Sequence, residues 1–349
     1  MLVNFVPSLL HLATVKVATA IYMSREIQEF EKKPHIRSFV DTHGKEWEPF
    51  VLEKVAQCAM PIELHEKVVV LMKPLSFELN MWLADHIQIV ENHRYDIYIV
   101  WNSFGMIDRS KAAERLIRSD CLPIDHRIHM ACQYRMRNEL QELFERAPWY
   151  DEESKVRLNL STMFAYSQRI FPNVANSLRL FPFEGSELRT IGNIPMIHHL
   201  LKKLPPPHIL DVLKELLQRK EFLSDDDRIC LFNQDVTILE QLFRRIPFCI
   251  LMFLLQWPLQ TQFLEVVHRL WSHLTKEEFF KLLLSIHSKI EKGWRDFDYI
   301  NLIKTFWSRS PHHFQDYVQK KNISEQEEFS MHEFDIINNF WKNISLEEK

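Results

Sequence analysis

Glycine is scarce in this chain. The 349 residues include only five glycines, where an average usage of about 7% would give roughly 24. Tight hairpins between β-strands need backbone with positive φ, which glycine adopts without steric cost. Sixteen prolines are present, and most of them stand where an apolar periodic segment begins. Since proline at the first helical position sacrifices no hydrogen bond, the combination predicts an all-α fold.

The spacing of apolar residues predicts an array of antiparallel helix pairs. The stretch from Asp108 to Glu145 divides into short helical segments with brief connections, and similar segments return after Ile194. Such pairs stack into a solenoid in which each buries its apolar face against its neighbours. A strict repeat period is not evident, so the chain is assigned to no named repeat class.

Four segments are predicted along the chain. Residues 1–35 form an N-terminal amphipathic helix, 36–165 an N-terminal helical array, 166–195 an irregular junction and 196–349 a C-terminal helical array. The junction is inferred because prolines and glycines, which interrupt helices, cluster there.

Proline and capping residues predict where individual helices start. Pro61 and Pro74 each open an apolar periodic segment, so two consecutive helices are expected. Asp108 caps a helix that runs to Arg118. A cap followed three residues later by an acid predicts capping boxes at Ser224–Asp227, Thr275–Glu278 and Ser330–Glu333. Further starts are predicted at Pro123, Asn138, Pro206, Pro247, Pro258 and Pro311.

Two further assignments concern the interior of the chain. Residues 95–101 alternate in a manner typical of a strand, but they stand among helices and are predicted to be helical. Apolar residues at helical spacing predict the ridges of the C-terminal core: Phe263, Val267, Leu270, Trp271, Leu282, Ile286, Ile290, Ile303, Phe306 and Trp307.

Charge and cysteine content limit the functional classes. The net charge is −4 with both signs mixed along the chain, so no nucleic-acid partner is expected. The five cysteines are an odd number at scattered spacings, which favours a reducing compartment, the cytoplasm or the nucleus. The apolar segment 247–257 is too short to span a bilayer, and Lys16 interrupts the apolar run that a signal peptide would need. No membrane partner is therefore expected.

Catalytic and metal-binding signatures are weak. The sequence contains no Gly-rich phosphate loop, no Gly-x-Ser-x-Gly elbow and no cysteine beside a plausible histidine base. An enzyme is therefore the least favoured class, and no cofactor is expected. The best metal-like group is Cys121, His126, His129 and Cys132. Zinc is not expected there, because structural zinc sites usually show two closely spaced ligand pairs.

The first helix is predicted from Pro7 to about Phe30. Pro7 and Ser8 are residues typical of a helix start. Leu9, Ala13, Val17 and Ala20 recur at steps of four and three and form one narrow apolar stripe. Two interpretations follow: the stripe packs on the next helix of the same chain, or it binds a partner protein.

The spacing Ser8-Leu9-x-x-x-Ala13-x-x-x-Val17 resembles the elongin-C-binding box that opens the SOCS box of cullin-RING ligase substrate receptors. In that family the leucine fills a pocket on elongin C, a helix-in-groove mode of binding. The resemblance implies that these four residues contact elongin C while the helical array binds a target. Leu204-Pro-Pro-Pro207 also fits the Leu-Pro-x-Pro tetrapeptide of that family, which implies a cullin as a further partner.

The sequence therefore favours a protein-interaction scaffold. Its most concrete form is a substrate-recognition adaptor of a cullin-RING ubiquitin ligase. A helical-repeat structural protein with no role in ubiquitin transfer is the alternative, and an uncharacterised enzyme is the last.

Overall fold

The described residues of the computed structural model are 8–31, 47–86, 98–134, 136–146, 206–219, 231 and 234–324. Across these ranges 77% of the residues are helical and none belongs to a strand, so the prediction of an all-α fold is confirmed. The irregular junction predicted at 166–195, and the capping boxes predicted at Ser224 and Ser330, lie outside these ranges. The solenoid arrangement stays a prediction.

Seven helices occupy the described residues of the N-terminal half. They are α1 (Leu9–Tyr22), α2 (Arg25–Glu31), α3 (Trp47–Ala56), α4 (His65–Asp85), α5 (Arg109–Arg118), α6 (Ile124–Gln133) and α7 (Arg137–Arg146). A 3₁₀ turn, Ile62–Leu64, leads into α4.

Seven more helices occupy the described residues of the C-terminal half. They are α8 (Pro206–Arg219), α9 (Val236–Arg245), α10 (Pro247–Leu254), α11 (Phe263–Leu270), α12 (Lys276–Glu291), α13 (Tyr299–Ser308) and α14 (His312–Ser324). Two 3₁₀ turns, Gln260–Gln262 and Trp271–His273, flank α11. The start predicted at Pro247 is confirmed, Pro206 is the first described residue of α8, and Pro311 directly precedes α14.

Helix α4 is the centre of the N-terminal core, because both α1 and α3 pack against it. The prediction that Pro74 opens a second helix is wrong, since Pro74 lies buried inside α4. Proline in a helix interior forgoes one backbone hydrogen bond and crowds the preceding turn. Here the helix continues because Met72, Leu75 and Leu79 on both sides of it are buried in the same core.

The prediction that residues 95–101 are helical is also wrong for residues 99–101. Ile99 and Val100 are not helical, and Trp101 forms an isolated antiparallel bridge with Ile107. The chain reverses direction through Gly105, whose φ of +80° favours glycine. The turn is fixed to α4, because the Glu78 carboxylate accepts a hydrogen bond from the Ile107 amide at 3.2 Å.

The C-terminal core is built on aromatic packing around α12. The Phe279 ring lies 4.9 Å from both Phe306 and Phe314, and Phe306 in turn lies 5.2 Å from Phe263. Four helices therefore meet at one aromatic cluster. Ten residues were predicted to form the ridges of the C-terminal core, and this prediction is confirmed. Seven of the ten are buried, and the other three, Trp271, Ile290 and Trp307, pack against them.

The two cores are separate clusters, and two tryptophans of the C-terminal half join them. The indole nitrogen of Trp257 donates a hydrogen bond to the Phe104 carbonyl at 3.1 Å. The Trp294 ring meets Phe77 of α4 edge-on at 5.9 Å. Arg295, next to Trp294, forms ion pairs with Glu48 of α3 and Glu66 of α4.

The predicted capping box at Thr275 and Glu278 is present, with both reciprocal hydrogen bonds. We expect Thr275→Ala to lower the free energy of unfolding by about 1 kcal/mol, because it leaves a backbone amide of the first turn without its side-chain acceptor. Thr275→Ser keeps the hydroxyl and should retain most of that stability. Urea denaturation of the three proteins measures the difference, and equal losses for Ala and Ser would contradict a capping role.

Candidate functional site

The predicted first helix is two helices in the structure. Helix α1 begins as predicted, with the Ser8 hydroxyl accepting a hydrogen bond from the His11 amide at 3.2 Å. It ends at Tyr22 instead of continuing to Phe30, and α2 begins at Arg25. The side-chain amide of Gln28 donates to the Tyr22 carbonyl at 2.9 Å. This bond satisfies a carbonyl at the end of α1, which the helix itself leaves without a partner.

The predicted apolar stripe lies on the exposed side of α1. We call Leu9, Ala13, Val17 and Ala20 the α1 face. All four are exposed, with relative exposures of 85% for Leu9 and 37% for Val17. The interpretation that this stripe packs on the next helix of the chain is therefore wrong.

The opposite side of α1 is the buried one. Val15, Ala18 and Tyr22 belong to the N-terminal core, and Thr14 and Thr19 are buried beside them. The threonine hydroxyls donate to the carbonyls of Leu10 and Lys16, at 2.7 and 3.0 Å. Since these bonds satisfy the hydroxyls inside the helix, threonine is tolerated in the core.

A half-buried carboxyl joins α2 to its neighbours. Glu31 accepts hydrogen bonds from the Tyr22 hydroxyl at 2.7 Å and from the Trp47 indole at 3.1 Å. Burial raises the pKa of the Glu31 carboxyl to about 7. The hydrogen bonds with Tyr22, Trp47 and Ser76 lower this pKa, but by less than burial raises it. One ionisable group thus joins α1, α2 and α3 and titrates near neutral pH.

A second cluster of ionisable groups lies where the halves meet. We call Lys73, Lys289, Lys292 and Trp294 the lysine–tryptophan contact. The Lys73 ammonium donates to the Lys292 carbonyl, and it lies 5.0 Å from the centre of the Trp294 ring. The Lys289 ammonium lies 3.5 Å from the same ring centre. The cations are thus paired with a π-face and a helix-end carbonyl, both of which attract positive charge.

Burial shifts the pKa values of these groups. It lowers the pKa of Lys73 to about 8, assisted by the neighbouring charge of Lys289, and it lowers the pKa of Lys289 to about 8. It raises the pKa of Asp296 to about 6, although Lys289 favours its ionised form. Asp296 also accepts a hydrogen bond from Gln260 at 2.6 Å. These contacts hold two helical units together.

Sequence reasoning missed the lysine–tryptophan contact. Its one local signal is Lys73, a single charge within the apolar run from Val68 to Leu75. A lysine at that position must either reach the surface or find a buried partner. The partner, the carbonyl of Lys292, is 219 residues away in sequence, so local patterns could not identify it.

The metal-like group is only partly described. The Cys121 thiol lies 2.9 Å from the Ser119 hydroxyl, and His126 lies on α6, while the side chains of His129 and Cys132 lie outside the described residues. Across the described part of the chain, no three His, Cys, Asp or Glu side chains come close enough to hold a metal ion.

The pKa of Glu31 predicts a pH-dependent stability. Its pKa is higher in the folded than in the unfolded chain, so its contribution is fully present below about pH 4.5 and is lost as the pH rises through about 7. Between pH 5 and 7.5 the slope from this group is at most about 1.4 kcal/mol per pH unit. Glu31→Gln keeps an oxygen for Trp47 and does not titrate, so it should reduce the loss of stability across that interval.

Urea denaturation at several pH values measures this slope. The pKa of Asp296 is also raised, to about 6, so this group makes the free energy of unfolding fall with rising pH below about pH 6. Asp296→Asn is therefore the matched control: it should flatten the stability profile only below about pH 6. An unchanged profile in Glu31→Gln would contradict the assignment.

None of the helices in the described ranges is long and apolar enough to cross a membrane. Comparison of the chain with family models, curated proteins and solved structures finds no match. The features that bear on function are therefore those of the chain itself: the α1 face and the contacts between the two halves.

Proposed function

We propose that this chain is a protein-interaction scaffold that binds a partner protein through the α1 face. Its most concrete form is a substrate receptor of a cullin-RING ubiquitin ligase that binds elongin C. The observation that carries the proposal is the 85% exposure of Leu9, at the leucine position of the elongin-C-binding box. Ala13 and Val17, the next two positions of that pattern, are exposed on the same side of α1.

The chemistry of the α1 face suits a helix-in-groove partner. Exposed aliphatic side chains one turn apart on one helix are the anchors that such grooves receive. Ala13 lies between Leu9 and Val17, and its small side chain lets a partner approach the helix backbone closely. Leu10, which is 48% exposed, widens the apolar surface at the first turn.

The attachment of α1 to the N-terminal core supports the same proposal. An isolated helix of 14 residues is marginally stable in water, and a partner that binds it must also order it. Here Val15, Ala18 and Tyr22 fix the opposite side of α1 in the core. The helix is therefore already formed when a partner arrives, which reduces the entropic cost of binding.

The cullin part of the proposal depends on Leu204-Pro-Pro-Pro207. Pro206 and Pro207 form the first turn of α8, while Leu204 and Pro205 lie outside the described residues. The target of the receptor would bind the helical array, and the adaptor role places the chain in the cytoplasm or the nucleus.

The test compares elongin C binding and stability in the same proteins. Leu9→Ala should weaken binding roughly tenfold or more, because burying a leucine side chain is worth about 1.5–3 kcal/mol. Its melting temperature should match that of the wild type, since Leu9 contributes little to the core. Ile62→Ala is the matched control: Ile62 is 76% exposed and lies outside α1, so the change should leave elongin C binding unaltered.

Calorimetric titration and thermal denaturation supply the two readouts. The adaptor proposal fails if wild-type protein does not bind elongin C, or if Leu9→Ala binds as tightly as the wild type. Binding that is lost in Leu9→Ala together with a fall in melting temperature would also count against it, because it would assign Leu9 to the fold.

A further inference from the structure

Trp257 of the C-terminal half reaches the first turn of α1. Its ring centre lies 5.1 Å from that of His11, with the two planes inclined at 30°. Its indole nitrogen donates to the Phe104 carbonyl in the turn before α5. One side chain therefore contacts both the start of α1 and the turn that follows Trp101.

Little space is left at Gly105, next to this indole. A methyl group added at Gly105 would lie 3.3 Å from the side chains of Val15 and Leu75, and 3.4 Å from the Trp257 indole nitrogen. Helix α1, helix α4, the turn and Trp257 thus meet within van der Waals contact. The position of Trp257 relative to α1 is set by packing as well as by its hydrogen bond.

The first turn of α1 is the part of the helix with the least burial in its own core. The fully buried positions begin at Thr14, whereas Leu9 and Leu10 are exposed and His11 and Leu12 are half-buried. The amides of His11 and Leu12 bond to Ser8, at 3.2 and 3.0 Å. Helix ends fray when few tertiary contacts support them, so the ring of Trp257 against His11 lies where support matters most.

We propose that Trp257 is a positioning residue that keeps the first turn of α1 helical and so couples Leu9 to the packing of the C-terminal half. A partner on the α1 face and a ligand that displaces Trp257 would then oppose each other, because coupling between two sites is reciprocal. The use of this coupling in binding rests on the proposed function, whereas the coupling itself is a property of the free protein.

Trp294 provides the matched control. It is also a tryptophan of the C-terminal half that packs on the N-terminal half, but it contacts Phe77 and Lys73 of α4 instead of α1. Replacing Trp294 loosens the contact between the halves without touching the first turn of α1.

The experiment is hydrogen–deuterium exchange of full-length protein, followed on peptides that cover residues 9–17. Trp257→Ala should speed the exchange of the His11 and Leu12 amides roughly twofold to tenfold, the range expected for losing one aromatic pair. Trp257→Phe keeps a ring against His11 and should restore most of the protection. Trp294→Leu should leave these amides as slow as in the wild type.

Three results would overturn the proposal. They are unchanged exchange in Trp257→Ala, equal acceleration in Trp257→Phe, and equal acceleration in Trp294→Leu, which would show that any loosening of the halves has the same effect. If Trp257→Ala does not fold, Trp257→Leu takes its place, because leucine fills part of the same space without a ring against His11. It should speed the same exchange, and unchanged exchange would overturn the proposal. Elongin C added to the wild type should slow exchange of the same amides further. If elongin C does not slow this exchange while the variants behave as expected, the adaptor proposal is rejected and the positioning role of Trp257 stands.

Discussion

Helix α4 is buried along most of its length, and its polar side chains must therefore find partners inside the protein. Buried polar groups without hydrogen bonds are costly, so each one on α4 determines where another element lies. Lys73 reaches the carbonyl that ends α12, and Glu78 holds the amide of Ile107. At the end of α4 the exposed Asp85 forms an ion pair with the buried Arg109 of α5. The turn before α5, α5 itself and the C-terminal half are thus attached to one helix through its polar groups, while α1 and α3 are attached through its apolar ones.

The same principle explains which side of α1 faces the core. A count of apolar residues favours the Leu9, Ala13 and Val17 side, and the structure buries the side with Thr14 and Thr19 instead. Those threonines cost little to bury, because each hydroxyl bonds to a carbonyl of its own helix. The aliphatic residues on the other side are left exposed, and this is the property that makes α1 a candidate binding helix.

Features fixed by local chemistry could be predicted from the sequence. The caps at Ser8, Asp108 and Thr275 are present because each depends on residues within three positions. Features decided by distant contacts could not be predicted. Pro74 stays within α4 because residues on both sides of it are buried in one core. Residues 99–101 are not helical because Ile107 pairs with Trp101 and is held by Glu78 in the turn that follows. For the candidate site, the sequence identified the residues of the α1 face, but their exposure depends on how α1 packs against α4.

The Trp257–Phe104 hydrogen bond also has a consequence for the order of folding. Its two residues are 153 positions apart in sequence, whereas each hydrophobic core is formed by helices much closer together along the chain. Contacts between distant residues form more slowly than local ones, and domains generally fold as units, the N-terminal one first during synthesis. On the ribosome, α1 would therefore pack on α4 well before Trp257 emerges. With the proposed role of Trp257, the first turn of this helix would gain its last support only after residue 257 has been made, so a product that ends earlier would carry Leu9 on a less supported helix end.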